Sequence, residues 1–348
     1  MAQTVVGVDF AAGIVRAVEI GGTLRRPVIE RYSEITVPEG AIVRGEVVEQ
    51  HTVATALKQL WNNGGFSSKN IAIGIGNHRV IARDLTVPSG SQARIRESLP
   101  HQVQDMIPMP VAEALLDFYP ISEEESALGP QLSGLLVAAA KDGVMSNIKA
   151  ARLAGLSTVA VDLNPFAILR VVLQGTDTQG TIAVVEIGGS TTSVVVVTNG
   201  VPQFIRIIPT GSDQLTHVLA QRLEIEPAEA DQIKRHIGLS ATPVAPQNQQ
   251  ALEVIYEVAG ELLTSLRNTI NYFANTRPDQ PIRQILLTGG GALLPGCERA
   301  ITEVTRVPAV LVDHMASVEV SRKLDETELR ANRPNLAVAL GLTLGSAA

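Results

Sequence analysis

The sequence has little cysteine and little aromatic character. Cys297 is the only cysteine in 348 residues, so an intrachain disulfide cannot form and a cysteine-based metal cluster is excluded. Six histidines are scattered without an HExxH pattern, which disfavours a zinc hydrolase. Aromatics make up 3% of the chain, against 45% apolar and 18% charged residues. A core of Val, Ile, Leu and Ala, as in an α/β protein, follows. Positive charge is in deficit: 28 Lys and Arg face 35 Asp and Glu, for a net charge of −7. General nucleic-acid binding needs a basic footprint and is disfavoured. No uninterrupted apolar stretch approaches the ~20 residues that cross a bilayer. The opening "MAQTVVGVDF" lacks a basic n-region, and "LGLTLGSAA" carries no cation after Arg333, so neither a secretory signal nor a basic membrane-binding tail is expected.

The length exceeds what one core usually supports, so two or more lobes are expected. "TVVGV" (4–8) reads as a buried strand ending at Asp9, and "IVRAVEI" (14–20) as its hairpin partner. Residues 51–63 place Val53, Leu57, Leu60 and Trp61 on one helical stripe, which Gly64-Gly65 stops. Strands follow at 70–76 and 79–88, then a helix over 91–110 interrupted by Pro100. Residues 122–130, "SEEESALGP", read as an acidic surface loop. A strand at 133–140 and helices at 143–155 and 164–175 complete the first half. The second half restarts with strands 181–187 and 192–198, and Asn199-Gly200 gives a type I′ hairpin signal. Helices at 211–223, 227–237 and 251–275 follow, then a strand over 282–291 running into glycines, a short strand at 308–312 and an apolar helix over 335–345.

The restart repeats a local pattern. "VVGVDFAAG" and "IAVVEIGGS" align with Asp9 opposite Glu186, 177 residues apart. Each has an apolar strand, a carboxylate, one large apolar residue and then small residues. Acid-plus-glycine turns are common between strands, but two at half-chain spacing suggest duplication. Small residues let backbone N–H groups approach phosphate oxygens, and the hydroxyls of Ser190, Thr191 and Thr192 add donors. A carboxylate at such a strand end suits Mg²⁺ bound through water. A third element, "LLTGGGALLPG" (286–296), offers bare backbone at Gly289, Gly290 and Gly291. No GxxxxGK[ST] and no complete GxGxxG occurs.

These three elements resemble the phosphate turns and adenosine loop of the actin-like ATPase superfamily. "PTGSDQLTHVLAQRLEIEPAEADQIK" (209–234) resembles the helix pair of FtsA and PilM. "IPMPVAEALLDFYPI", "LLVAAAKDGVMSNIKAARLAGLSTVAVDLNPFAILR" and "RPNLAVALGLTLG" resemble the PilM family of type IV pilus assembly proteins in particular. The resemblance covers nearly the whole chain.

It implies an α/β actin-like fold of two lobes, each a mixed sheet flanked by helices, with an FtsA-type insert. Residues 1–83, 157–178 and 335–348 would form the first-lobe core, and 84–156 an inserted subdomain. Residues 179–210 and 262–334 would form the second-lobe core, and 211–261 a helical subdomain. ATP and Mg²⁺ would lie between the lobes, against Asp9, Ala11, Ala12, Gly13, Arg16, Gly188, Gly189, Ser190, Thr191, Gly211, Asp231, Lys234, Gly289, Gly290 and Gly291. Asp9 and Glu186 would hold Mg²⁺ through water and are the candidate catalytic acids. The chain departs from the family in four places. Ala11 and Ala12 replace glycine and hydroxyls, Arg16 replaces a lysine, Glu186 replaces an aspartate, and Asp231 stands for the glutamate of an AExxK pattern.

The implied role is an ATP-binding scaffold in the cytoplasm with weak or no hydrolysis, held at the inner membrane by the N-terminal tail of a PilN-like protein. The implied dock is the groove between the first and inserted subdomains, with Leu85, Val87, Met106, Met109 and Leu115 as apolar contacts. The alternatives are an actin-fold small-molecule kinase, for which Asp142 and Asp162 stay open as bases, or an FtsA-like filament former. Cys297 and Trp61 read as packing residues, and His101, His217 and His236 as surface or helix-face residues.

Overall fold

The computed structural model describes residues 4–11, 13–23, 26–127, 129–239, 245–313, 318–324, 329 and 335–346. The first lobe opens with strands β1 (Val6–Ala11), β2 (Ile14–Thr23) and β3 (Arg26–Thr36). A small hairpin of β4 (Ile42–Val43) and β5 (Glu46–Val47), helix α1 (Gln50–Gly64) and β6 (Asn70–Ile75) follow. An insert then comprises β7 (Val80–Pro88), α2 (Gln92–Gln102), β8 (Ala114–Ser126) and β9 (Gly129–Ala140). The chain returns through α3 (Lys141–Leu153), β10 (Ser157–Leu163) and α4 (Asn164–Val172). The second lobe runs β11 (Thr181–Ile187), β12 (Thr192–Thr198), β13 (Val201–Ile208), α5 (Ser212–Leu223), α6 (Pro227–Ile237) and α7 (Gln249–Thr276). It ends with β14 (Ile282–Thr288), α8 (Cys297–Thr305) and β15 (Ala309–Leu311), before β16 (Glu319–Val320) and α9 (Ala337–Ser346).

The two lobes repeat one topology. The first sheet has the order β10-β6-β1-β2-β3-β16, and the second β13-β12-β11-β14-β15. Each is an antiparallel meander whose first strand, β1 or β11, also pairs in parallel with a later strand, β6 or β14. This symmetry underlies the repeated acid-bearing turns.

Strand alternation sorts the two faces of each sheet. Val6 and Val8 pack with Leu57 and Leu60 of α1 and Ala150 of α3. Val185 and Ile187 pack with Leu266, Ile270 and Phe273 of α7. Between the sheets lie α4 and α9, where Ala167, Ile168, Ala337 and Leu342 meet Ala72 of the first lobe and Ile182 and Val184 of the second. Asp9, next to Val8, and Glu186, next to Val185, therefore turn away from the outer helices toward this shared layer.

Four sequence expectations need correction. The acidic stretch Ser122–Ser126 is not a loop but a run of β8 rungs paired with β9, exposed and extended. Strands β3 and β10 form where no strand was expected. Helix α3 packs into the α1 cluster of the first lobe, so the insert's own sheet ends at β9, short of residue 156. Past β15 the chain re-enters the first lobe before residue 334: β16 pairs with β3, and Val318, Leu329 and Leu336 pack against α9.

Candidate functional site

The tight β1–β2 turn sets Asp9 directly opposite Arg16 in the ladder. The Arg16 guanidinium stands 4.0 Å from the Asp9 carboxylate, and its Nε donates to Glu34 at 3.0 Å. Tyr32 also donates to Glu34, at 2.7 Å. Arg16 is therefore anchored from the neighbouring strand rather than spent on Asp9. Burial pushes the Asp9 carboxyl up to about 6 against the pull of Arg16. Burial, and then the Asp9 charge, push Glu186 up to about 8, opposed by a hydrogen bond with Ser193. Two carboxylates that resist joint ionisation share a small cavity of about 70 Å³ with Ala11, Gly188, Ser190 and Thr191.

The second turn is built from backbone. Gly188 N donates to the Thr191 carbonyl at 2.9 Å, while Ser212 N and Asp213 N donate to the Gly188 and Gly189 carbonyls at 2.9 Å. The start of α5 is thus stitched to the turn. A Cβ on Gly211 would collide with the Gly189 carbonyl, so only glycine allows this approach. The third element leaves β14 through Gly289 at φ +87°, against the Ile187 carbonyl. From α6, buried Lys234 donates to Thr216 at 2.6 Å and pairs with Asp231 at 2.6 Å. Burial would raise the Asp231 carboxyl, but hydrogen bonds from Lys234 and Arg235 outweigh this and hold it below its ordinary value.

These pieces wall a cleft of about 400 Å³ between the lobes, within the size range of small-molecule sites. Ala11, Arg16, Gly189, Gly211, Asp231, Lys234, Gly290 and Gly291 line it. Ala11 and Gly189 also line the acidic cavity, so the two volumes share a wall. Gly13 and Gly289 shape their turns and line neither cavity. Ala12 lies outside the described residues. Sequence reasoning missed Arg44 and Asn164 at the small cavity and Ser212, Asp213 and Asn335 at the cleft. For Asn164 a signal existed: Asn-Pro opens α4, and a helix N-terminus is a ready place for an anion. Its Oδ1 is buried and has no hydrogen-bond partner among the described residues.

The two carboxylates left open as bases fall elsewhere. Asp142 pairs with Arg79 at 2.5 Å and Asp162 with Arg170, and neither lines either cavity. Cys297 is buried in the wall of the cleft, its thiol pushed up to about 12 by burial and then by Glu298. His101, His217 and His236 are exposed. A separate groove of about 780 Å³ runs between the insert and the first lobe, lined by Leu115, Tyr119, Val161, Phe166 and Leu173. Of the five apolar contacts expected for it, only Leu115 lines it. Val87 is core beneath α2, and Leu85, Met106 and Met109 pack into that same cluster.

Comparison with known proteins agrees with this architecture. The family described as type IV pilus assembly protein PilM matches residues 7–347. The chain belongs to the PilM family. A solved structure titled PilM-PilN type IV pilus biogenesis complex is 25% identical, with a TM-score of 0.85 and coverage of 99% of this chain and 98% of that one. The cell division protein FtsA of Bacillus subtilis is 22% identical over 303 residues, covering 75% of this chain and 68% of FtsA. The chain thus spans about two thirds of that FtsA's length. MreB5 of Spiroplasma citri, solved with AMPPNP bound, is 11% identical with a TM-score of 0.54 over 96% of this chain and 99% of that one. The fold of this PilM family member is that of the actin-like ATPases. Among the described residues, no helix is long and apolar enough to cross a membrane.

Proposed function

We propose that this PilM family member binds ATP with Mg²⁺ between its lobes and serves pilus assembly as a scaffold. The observation that carries the reading is the meeting of both acid-bearing turns with Gly290, Gly291 and Lys234 around one cleft and its side cavity. The donor set fits the metal: Asp9 and Glu186 are hard oxygen ligands, and Mg²⁺ is commonly held by one or two carboxylates together with phosphates. The unpartnered Asn164 Oδ1 adds a further oxygen acceptor. Bound Mg²⁺ would supply charge neutralisation for phosphates and for the two acids. Backbone N–H groups of Gly189 and Ser190 receive phosphate oxygens, and Gly290 and Gly291 leave a flat wall for the nucleoside.

Replacing Gly290 by Val tests this. Its added side chain would crowd Asn335, whose Oδ1 stands 2.8 Å from an ideal Cβ there, and narrow the cleft. Calorimetric titration should show ATP binding weakened by about tenfold or more, as expected when inserted bulk costs about 1–3 kcal/mol. Equal affinity in parent and variant would move the nucleoside elsewhere.

The partner reading uses the other groove. An N-terminal cytoplasmic tail of a PilN-like inner-membrane protein docks between the insert and β10–α4, placing this protein at the membrane without inserting it. Leu115, Tyr119 and Val161 give an exposed apolar wall, and the Asp162–Arg170 pair gives a polar floor. A short tail that orders on binding relies on a few such anchors.

A further inference from the structure

The hairpin between β4 and β5 turns in two residues, Arg44 and Gly45, with Val43 opposite Glu46. Their φ values are +50° and +81°, a type I′ geometry in which Asn, Asp or Gly normally takes the first place. An arginine there adopts a backbone conformation that costs it more than those residues. The turn is nevertheless held firmly. Asn147 of α3 donates to the Gly45 carbonyl at 2.9 Å and accepts from Val47 N at 2.8 Å. Glu46 accepts from Asn77 at 2.8 Å and from Arg79 at 3.0 Å.

This frame sets Arg44 in the wall of the small cavity that contains Asp9, Glu186 and the Gly188–Thr191 turn. Arg44 is the one cation among the described residues lining that cavity. Its side chain is exposed, and the ion pairs among the described residues do not include it, although two carboxylates share the cavity. Arg16, Lys234 and Arg235, the cations lining the larger cleft, are already engaged, Arg16 by Glu34 and the other two by Asp231. A phosphate group entering beside Asp9 and Glu186 meets two acids, and Arg44 is the available guanidinium to balance them.

We propose that Arg44 clamps the outermost phosphate of a bound nucleoside triphosphate, its planar fork suiting two phosphate oxygens. The proposal rests on the nucleotide reading above. Arg44→Gly removes the guanidinium at a φ that glycine adopts freely, so the fold is kept. Arg44→Lys keeps charge without the fork. Calorimetry on parent and variants would compare ATP, ADP and AMP with Mg²⁺. Arg44→Gly should weaken ATP by about 10–100-fold, ADP by less, and AMP by under about twofold, in line with loss of a charge-assisted contact to the terminal phosphate. Arg44→Lys should recover part of the ATP loss. Equal losses for all three nucleotides, or none, overturn the clamp while leaving nucleotide binding intact. A parent that binds no nucleotide overturns the nucleotide reading itself, and the clamp with it.

Discussion

Asp9 and Glu186 stand at equivalent positions of two repeated strands, and burial raises both carboxyls. A raised value means that the folded protein keeps protons the unfolded chain has lost. Stability is therefore greatest below the ordinary carboxyl range and falls as pH rises through about 6 for Asp9 and about 8 for Glu186. Glu186→Gln removes the larger part of this slope. Urea denaturation of nucleotide-free protein in chelator, run from about pH 5 to about pH 8.5, should show the parent losing more stability than the variant. Parallel curves would mean that Glu186 is not held neutral by its surroundings. The two acids were legible because their pattern repeats. Asn164 and Arg44 carry no repeat, and reach the cavity only because α4 and the β4–β5 hairpin are folded against it.

At the scale of elements, the insert shows how one strand serves two surfaces. Even residues Leu116 and Phe118 of β8 join the α2 cluster, while odd Leu115 and Tyr119 are exposed beside the groove. Hydrophobicity alone selected Leu85, Val87, Met106 and Met109 as contacts. It does not say which face already has a partner, and α2 covers theirs. Leu115→Asp should weaken capture of a PilN-like tail peptide about tenfold or more by fluorescence anisotropy, with the unfolding transition little changed, since surface substitutions are usually within about 0.5 kcal/mol. Val87→Asp, by contrast, buries an unpaired carboxylate and should lower the unfolding midpoint. If Leu115→Asp binds the tail as the parent does, the dock lies off this groove. The acidic stretch at Ser122–Ser126 was misread for a related reason: its charges suit solvent, but β9 offers a ladder that extended backbone can join.

For the whole molecule, the expected chemistry is slow. Ala11 stands in the first turn without a hydroxyl. Loss of one well-placed donor commonly costs ~10²–10³ in rate. A coupled phosphate-release assay should therefore give kcat far below the ~10 s⁻¹ median of enzymes. A value near that median would favour an enzymatic rather than a scaffolding use of the cleft. Binding itself should stabilise the molecule, because the cleft draws on both lobes. ATP at a hundred times Kd adds about 2.7 kcal/mol, a rise that thermal denaturation detects.

Local pattern alone determined much of this. Apolar runs, the Asn199-Gly200 turn, the repeated carboxylate and the glycines at 188–189 and 289–291 announced two similar α/β lobes with matching acid-bearing turns. Such signals are legible because propensity, periodicity and turn chemistry act between near neighbours in the chain. Tertiary structure decided which faces remained open, which charges were already paired and which distant residues met. It buried Val87 and exposed Leu115, engaged Arg16 with Glu34, left Arg44 at the cavity and carried β16 back to the first sheet. Those outcomes depend on packing between segments that are far apart in sequence, where no local periodicity records the partner.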